Sequence, residues 1–427
     1  MIRTLRLICI LLFSFILVSC AAGRYPYPKT DLAQETWRSQ VQTDPSLWTA
    51  NADRWFRQGE STIASSANAR ESIRVSHFKG IRATGNFRIQ ISGSSDTDAV
   101  CIEGPSHKVR AIKVNVANDI LCLEQAKDAP DNMNEVTVRI SMRRLEYLMH
   151  HGLGRVEGVR LDSRNLVVEQ FGCGDIFLAG HMNIRSITNH GPGSVNIFTI
   201  CSNDTDITTD GNGDVNVFAR GYISLHKINH KGSADINVIG ARGGNLIVNA
   251  KGRGKIGISG HVNVREIRAS GKTCVFIASS DSIAPCIYVY DDARVGIDGR
   301  AGSLNAYTVR TARLMAKNLF PQNAYVTASG QSHMNINALN KIFAEANDYA
   351  TIYFFGNSCI LTAFEHGYGT VIKMGPPCED NEIIVAKNRK SVSRCYTYPV
   401  RKKIRYGSQF DSSREYTWRG KSVGYIK

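Results

Sequence analysis

Between His151 and Gly375, apolar and polar positions recur on a beat of about 20 residues. Four stretches repeat one phrase: Gly172-Cys173-Gly174-Asp175-Ile176-Phe177-Leu178, Gly191-Pro192-Gly193-Ser194-Val195-Asn196-Ile197, Gly211-Asn212-Gly213-Asp214-Val215-Asn216-Val217 and Gly252-Arg253-Gly254-Lys255-Ile256-Gly257-Ile258. With the residue after the second glycine as a register mark, marks fall at Arg155, Asp175, Ser194, Asp214, Asp235, Lys255, Cys274, Arg294, Arg313, His333, Thr351 and Thr370, which makes twelve units of 18 to 21 residues. One place after each mark stand Val156, Ile176, Val195, Val215, Ile236, Ile256, Val275, Val295, Leu314, Met334, Ile352 and Val371. Seven places before it stand Leu148, Val168, Ile187, Ile207, Ile228, Val248, Ile267, Ile287, Ala306, Val326, Ala344 and Ala363.

A second apolar set two places further on (Leu178, Ile197, Val217, Val238, Ile258, Ile277, Ile297) completes a period of two, and most of these residues are β-branched. That is the signature of strands, so each unit holds at least two short ones. Glycine lies three places before the mark in nine of the twelve units, where a corner requires positive φ or close backbone approach. A coil of this size cannot bury its apolar edge alone, so the units stack. The expected fold is all-β: a parallel β-solenoid of about twelve coils, preceded by a β-rich entry segment. A doubly wound α/β fold is disfavoured because no helical period separates the strands.

The entry segment, residues 73–150, carries longer strands such as Phe87-Arg88-Ile89-Gln90-Ile91 and Val136-Thr137-Val138-Arg139-Ile140. The order Phe78-Lys79-Gly80-Ile81, Gly85-Asn86-Phe87, then Asp119-Ile120-Leu121 and finally the Gly-x-Gly-Asp repeat resembles the bacterial envelope domain called "putative auto-transporter adhesin, head GIN domain". The resemblance covers roughly residues 75 to 260, with the later repeats as a degenerate extension. It implies a β-solenoid without an established activity and brings no catalytic residues with it.

Flanking segments add localisation. Residues 1–20 combine two arginines, an apolar run from Leu7 to Val18 too short to span a membrane, and Leu17-Val18-Ser19-Cys20. They look like a lipoprotein signal peptide in which Cys20 becomes the acylated N-terminus, and Ala21 in place of Asp implies the outer membrane. Cleavage near Ala21-Ala22 by an ordinary secretory route is the alternative. Several acyl chains on one cysteine would anchor stably. Residues 21–72 read as a tether with short helices, or as a wrapped cap over the first coil; residues 151–376 are the repeats.

Residues 377–427 break the period and hold a basic tail. Cys378 to Lys427 has twelve Lys or Arg against five acids, including Arg401, Lys402, Lys403 and Arg405 among tyrosines. A cap over the last coil is one reading, and a contact surface for anionic glycan, lipopolysaccharide or nucleic acid is the other. Removing the signal takes away Arg3 and Arg6 and lowers the formal charge from +15 to +13. That charge would draw an exported chain toward phosphate-rich or acidic surfaces. The expected partners are an anionic glycan, lipopolysaccharide or an envelope protein, with nucleic acid disfavoured.

Of eleven cysteines, Cys9 leaves with the signal and Cys20 is acylated, so nine remain in an oxidising compartment. Cys101 with Cys122 and Cys378 with Cys395 are the candidate disulfides, and an odd thiol is left over. No Cys/His zinc spacing, Gly-x-Ser-x-Gly elbow or phosphate loop occurs, because the Gly-x-Gly phrases precede strands. Asp175 and Asp214 are two coils apart and Lys255 follows Asp235, so the marks form no compact carboxylate cluster. They are expected to accept hydrogen bonds from turn amides. Asn196, Asn216 and Asn237 on consecutive coils predict a stacked asparagine ladder. His190 and Asp210 hold equivalent places on adjacent coils, within reach of a shared metal, although surface histidines without metal are the simpler reading. The chain therefore reads as an outer-membrane lipoprotein whose solenoid is a non-catalytic, adhesin-like or structural scaffold without cofactor. A carbohydrate-active β-helix enzyme is the rival.

Overall fold

The computed structural model describes residues 68–93, 98–355, 360–374, 382–387, 404–407 and 415–416. The chain divides into two units, Met1–Gln58 and Gly59–Lys427, and every described residue belongs to the second. That unit is a parallel β-solenoid of about 11 turns of about 20 residues. The expected columns stack residue on residue. Val156 pairs with Ile176, which pairs with Val195 on its other side, and the series continues without a slip through Ile236, Ile256 and Leu314 to Val371. The column seven places before the mark behaves in the same way from Leu148 to Ala363. Alternation sends both columns inward, where Ile176, Ile236 and Ile256 are fully buried. Each such side chain contributes roughly 1.5–3 kcal/mol of burial.

The early coils are more continuous than two short strands. Val156–Gln170, Ile176–Asn189, Val195–Thr209, Val215–Gly232, Ile236–Gly252 and Lys255–Gly271 each bend round a corner as one strand. Register shifts absorb the bend, as between Gly180 and Ser186, so ladder hydrogen bonds persist on both sides. Later coils split into pairs, for example His333–Ile336 with Lys341–Ala346.

The β-rich segment before the repeat is itself stacked, in an order that sequence position does not show. Its strands are β1 (Asn68–Ile73), β2 (Gly80–Thr84), β3 (Arg88–Ser92), β4 (Ala99–Pro105), β5 (Ile112–Ala117), β6 (Ile120–Gln125), β7 (Thr137–Ser141) and β8 (Tyr147–His151), followed by β9 (Val156–Gln170). A four-residue helix, α1 (Ser106–Val109), follows β4. In the stack β2 lies between β6 and β8, with Ile81 opposite both Leu121 and Leu148. Likewise β3 lies between β7 and β9, with Ile89 opposite Val138 and Val156. The coil β6–β7 is thus outermost although it follows β2–β3 in the chain. Antiparallel β4 covers β7, β5 covers β6, and β1 pairs with β4, so the strand edges at this end are blunted.

At the other end, one sheet face runs on beyond residue 377. Ala363 pairs with Val385 and Val385 with Tyr406, after which Ile404–Gly407 meets Glu415–Tyr416 antiparallel. Cys20, Cys378, Cys395, Arg401, Lys402 and Lys403 lie outside the described residues. Arg405 sits on the strand Ile404–Gly407.

Corner chemistry changes along the stack. In the coils after Asp210, the place three before the mark has positive φ, at Gly232 (103°), Gly252 (136°) and Gly271 (76°), and Asp291 and Arg310 hold the same conformation where glycine is replaced. The earlier Gly-x-Gly corners use close approach instead, and buried polar side chains serve their carbonyls. His150, Gln170, Asn189, Thr209 and His230 form one inward column on consecutive coils. Gln170 donates through Nε2 to the Gly172 and Gly174 oxygens. Asn189 donates to Gly193 O and Gly213 O at 2.8 Å each. Where the column residue is Thr209, Ala250 or Ala269, the second glycine of the following coil gives way to Ala234, Thr273 or Ala293.

Candidate contact surface

The aspartate marks are tied into the frame. Asp175 Oδ1 accepts from the Ser194 amide at 2.9 Å and its hydroxyl at 2.7 Å, Asp214 Oδ1 from the Asp235 amide at 2.8 Å, and Asp235 Oδ1 from the Lys255 amide at 2.8 Å. Each carboxylate clamps the next coil, as the turn-amide reading anticipates. The asparagine ladder forms as well, since Asn216 donates to Asn196 and Asn237 to Asn216, both at 2.9 Å. Asn249 and Asn229 make a second rung pair at 3.1 Å that sequence reading missed.

His190 Nδ1 meets Asp210 Oδ1 at 2.5 Å, and its ring stacks on Phe171 with centroids 4.8 Å apart. Among the described residues no group of three His, Cys, Asp or Glu stands together as a metal site. The Cys101–Cys122 bridge is not formed: both thiols are free, on strands β4 and β6, which do not pair with each other. Cys101 faces Arg70, whose Nε reaches its sulfur at 3.3 Å.

Two of the column's imidazoles are buried. Because Gln170 spends its Nε2 on corner carbonyls, its Oε1 must accept from His150 Nδ1 at 2.9 Å, which leaves His150 Nε2 without a proton in the neutral ring. Among the described residues, that nitrogen and His230 Nε2 have no hydrogen-bond partner. Burial, the largest cause, holds both rings below the usual histidine range.

The outward positions flanking the inner column change character along the stack. In the coils marked by Ser194 and Asp214 they are Ser186, Thr188, Asp206 and Thr208. From Tyr288 onward one of the two in each coil is aromatic, beside Cys286, Asn305, Thr327, Glu345 and Thr362 in turn. Tyr288 stands opposite Tyr307, Tyr325 opposite Phe343, and Phe364 follows on the next coil beside Phe343 with centroids 5.2 Å apart. Arg268 lies over the Tyr288 ring at 5.3 Å, and Tyr290 meets Tyr307 edge-on at 6.4 Å. Tyr307, Tyr325 and Phe343 are 36%, 45% and 37% exposed. Around the corner, Tyr349 and Tyr368 stack with centroids 4.9 Å apart. The tyrosines are held by a rigid sheet with their rings open to water, which suits stacking on a partner.

Strand alternation around Ile287, Ala306, Val326 and Ala344 already marks these aromatics as outward-facing in the sequence. On the opposite corner an open cleft of about 550 Å³ is lined by Asp281, Arg300, Phe320, Gln322 and Leu339 among others.

The family model described as "Putative auto-transporter adhesin, head GIN domain" matches residues 77–226 and again 224–358. Among solved structures, the chain is similar to a "putative adhesin" from Parabacteroides distasonis at 13% identity, covering 73% of this chain and 98% of that one with a TM-score of 0.27. A "putative adhesin" from Bacteroides fragilis matches at 15% identity, with the same coverages and a TM-score of 0.23. A "putative lipid binding protein" from Parabacteroides distasonis matches at 13% identity, 73% and 98% coverage and a TM-score of 0.23. No curated protein matches the chain.

Proposed function

This chain belongs to the family described as "Putative auto-transporter adhesin, head GIN domain", and from that premise we propose that it is a lipid-anchored outer-membrane protein whose solenoid offers a non-catalytic, adhesin-like contact surface. One observation carries the reading: an outward run of aromatics from Tyr288 to Phe364 on a continuous sheet, with Tyr307, Tyr325 and Phe343 exposed and the two end rings half-buried. Exposed rings on neighbouring strands are costly to leave unpartnered and match the faces of sugar rings on a glycan-bearing surface. The aspartates that would serve the rival enzyme are engaged with backbone amides, which favours the binding role.

Anchoring rests on Leu17-Val18-Ser19-Cys20 and Ala21. No helix among the described residues is long and apolar enough to cross a membrane. An adhesin family suits the cell envelope, and acylation of Cys20 is the means by which this chain would stay there.

Substituting Tyr307→Ser, Tyr325→Ser and Phe343→Ser together should abolish retention on isolated envelope material while the melting temperature holds. Retention equal to that of the unsubstituted protein would reject the stripe. A Cys20→Ala precursor should stay uncleaved or leave the membrane fraction; unchanged maturation and sedimentation would refute the anchor.

A further inference from the structure

The register marks form a column whose sign changes partway along the stack. Asp175, Asp214 and Asp235 lie on the early side, each bound to an amide of the next coil. Beyond them Lys255 pairs in register with Cys274, Cys274 with Arg294, Arg294 with Arg313, and Arg313 with His333. Lys272 lies on the adjacent corner, its amide bound to Gly252 O at 2.7 Å.

No acidic side chain among the described residues bridges Lys255, Lys272, Arg294 or Arg313. Asp235, beside Lys255 on the neighbouring coil, is tied through Oδ1 to the Lys255 amide at 2.8 Å, Asp291 to Arg310 at 2.5 Å and to the Gly271 amide at 3.0 Å, and Asp292 to the Thr311 hydroxyl. Like charges on neighbouring strands, about 4.8 Å apart, repel one another. A column built this way has an uncompensated charge that a linear anion would neutralise.

We propose that the column Lys255, Arg294 and Arg313, with Lys272 beside it, binds an acidic polysaccharide extended along the stacking direction. The proposal rests on the contact-surface reading above and adds a second site to it, around the corner from the aromatic stripe. Arginine forks match carboxylates in pairs. Arg294 and Arg313 stand on adjacent coils and Lys255 two coils before Arg294, with Cys274 between, so an extended polyanion can meet the column at one-coil and two-coil intervals.

Duplex nucleic acid fits less well, because its phosphates follow one another at about 3.4 Å per strand against roughly 4.8 Å for coils. The residues two places beyond these marks are Gly257, Phe276, Gly296 and Met315, and Phe276 is only 8% exposed, so the strand offers a base no open ring.

The full mature chain would be titrated with polygalacturonate at about 0.15 M salt, with poly(dT) and anionic phospholipid vesicles compared at equal charge. R294Q/R313Q should bind polygalacturonate at least about tenfold more weakly with an unchanged melting temperature, and R294K/R313K, which keeps the charge but loses the forks, should fall between that variant and the unsubstituted chain. The polymer should also shield the half-buried Cys274 thiol from iodoacetamide. Equal binding by R294Q/R313Q, absence of binding by the unsubstituted chain, or tighter binding of poly(dT) or vesicles would overturn the proposal. Unchanged polygalacturonate binding by R294Q/R313Q, with envelope retention lost in the aromatic variant, removes the column and leaves the contact-surface reading. The reverse pattern removes that reading and leaves the column.

Discussion

Lowering the pH from 7 to 5.5 should destabilise the early coils through two buried imidazoles. His150 and His230 are 0% and 1% exposed, and burial depresses both in the folded state. The unfolded chain therefore binds protons that the folded chain refuses. Stability is whole above the unfolded value of about 6.5 and is lost as pH falls through the window below it. For a ring that stays neutral throughout, the loss between pH 7 and 5.5 is roughly 1.3 kcal/mol, so the pair has a ceiling of about 2.5 kcal/mol. Against a domain stability of about 5–15 kcal/mol, that is measurable.

Glutamine is the apt control, because Gln170 already serves corner carbonyls from the same column. Urea unfolding followed by far-ultraviolet circular dichroism would be compared for the native chain and His150→Gln/His230→Gln. Hydrogen exchange would locate the effect in Val156–Gln170 and Val215–Gly232. The native chain should lose stability on acidification and the variant much less. A flat native profile, or equal slopes for both, would refute the assignment of these rings as buried and neutral.

Three further outcomes follow from the stack. Gly254→Ala drives a Cβ onto the Ala234 carbonyl and within 2.6 Å of His230 Nε2, and should cost about 1–3 kcal/mol in thermal or urea melts, whereas Ala234→Gly should cost under about 1 kcal/mol. Ile236→Asp places a carboxyl between Val215 and Ile256 and should cost about 3–5 kcal/mol, seen as early loss of exchange protection in those coils; protection like that of the native chain would contradict the inward column. Deleting Arg401 to Lys427 removes strand Ile404–Gly407, so the melting temperature should fall while polygalacturonate binding persists; loss of binding at constant melting temperature would return the contact role to the tail.

Much of the frame was legible because a solenoid repeats its physical problem on every coil. Ile236 is apolar for the same reason as Val215 and Ile256, so one register mark aligns all three. The aspartate clamps and the Asn196–Asn216–Asn237 ladder were readable in the same way. The position of Ile81 between Leu121 and Leu148 was not, since those pairings span 40 and 67 residues with no periodic phrase to announce them. The contact surface escaped for a different reason. Outward columns carry no constraint from packing, so the change from Thr208 to Tyr288 and Tyr307 leaves the repeat undisturbed. The marks Lys255, Arg294 and Arg313 served to set the register, and their shared charge becomes a surface only once the coils are stacked.

The inverted order of the first two coils decides where such a protein can lengthen over evolutionary time. Because β4 and β5 run antiparallel over β7 and β6, no further parallel unit can dock at that end, and duplicating β2–β3 alone would separate β6 and β7 from the strands that they cover. From Val156 onward each coil offers the next the same parallel edge, so a whole unit can be copied or dropped without breaking any other pairing. Gains and losses of coils among relatives should therefore fall downstream of Val156, with the inverted pair inherited as an indivisible head.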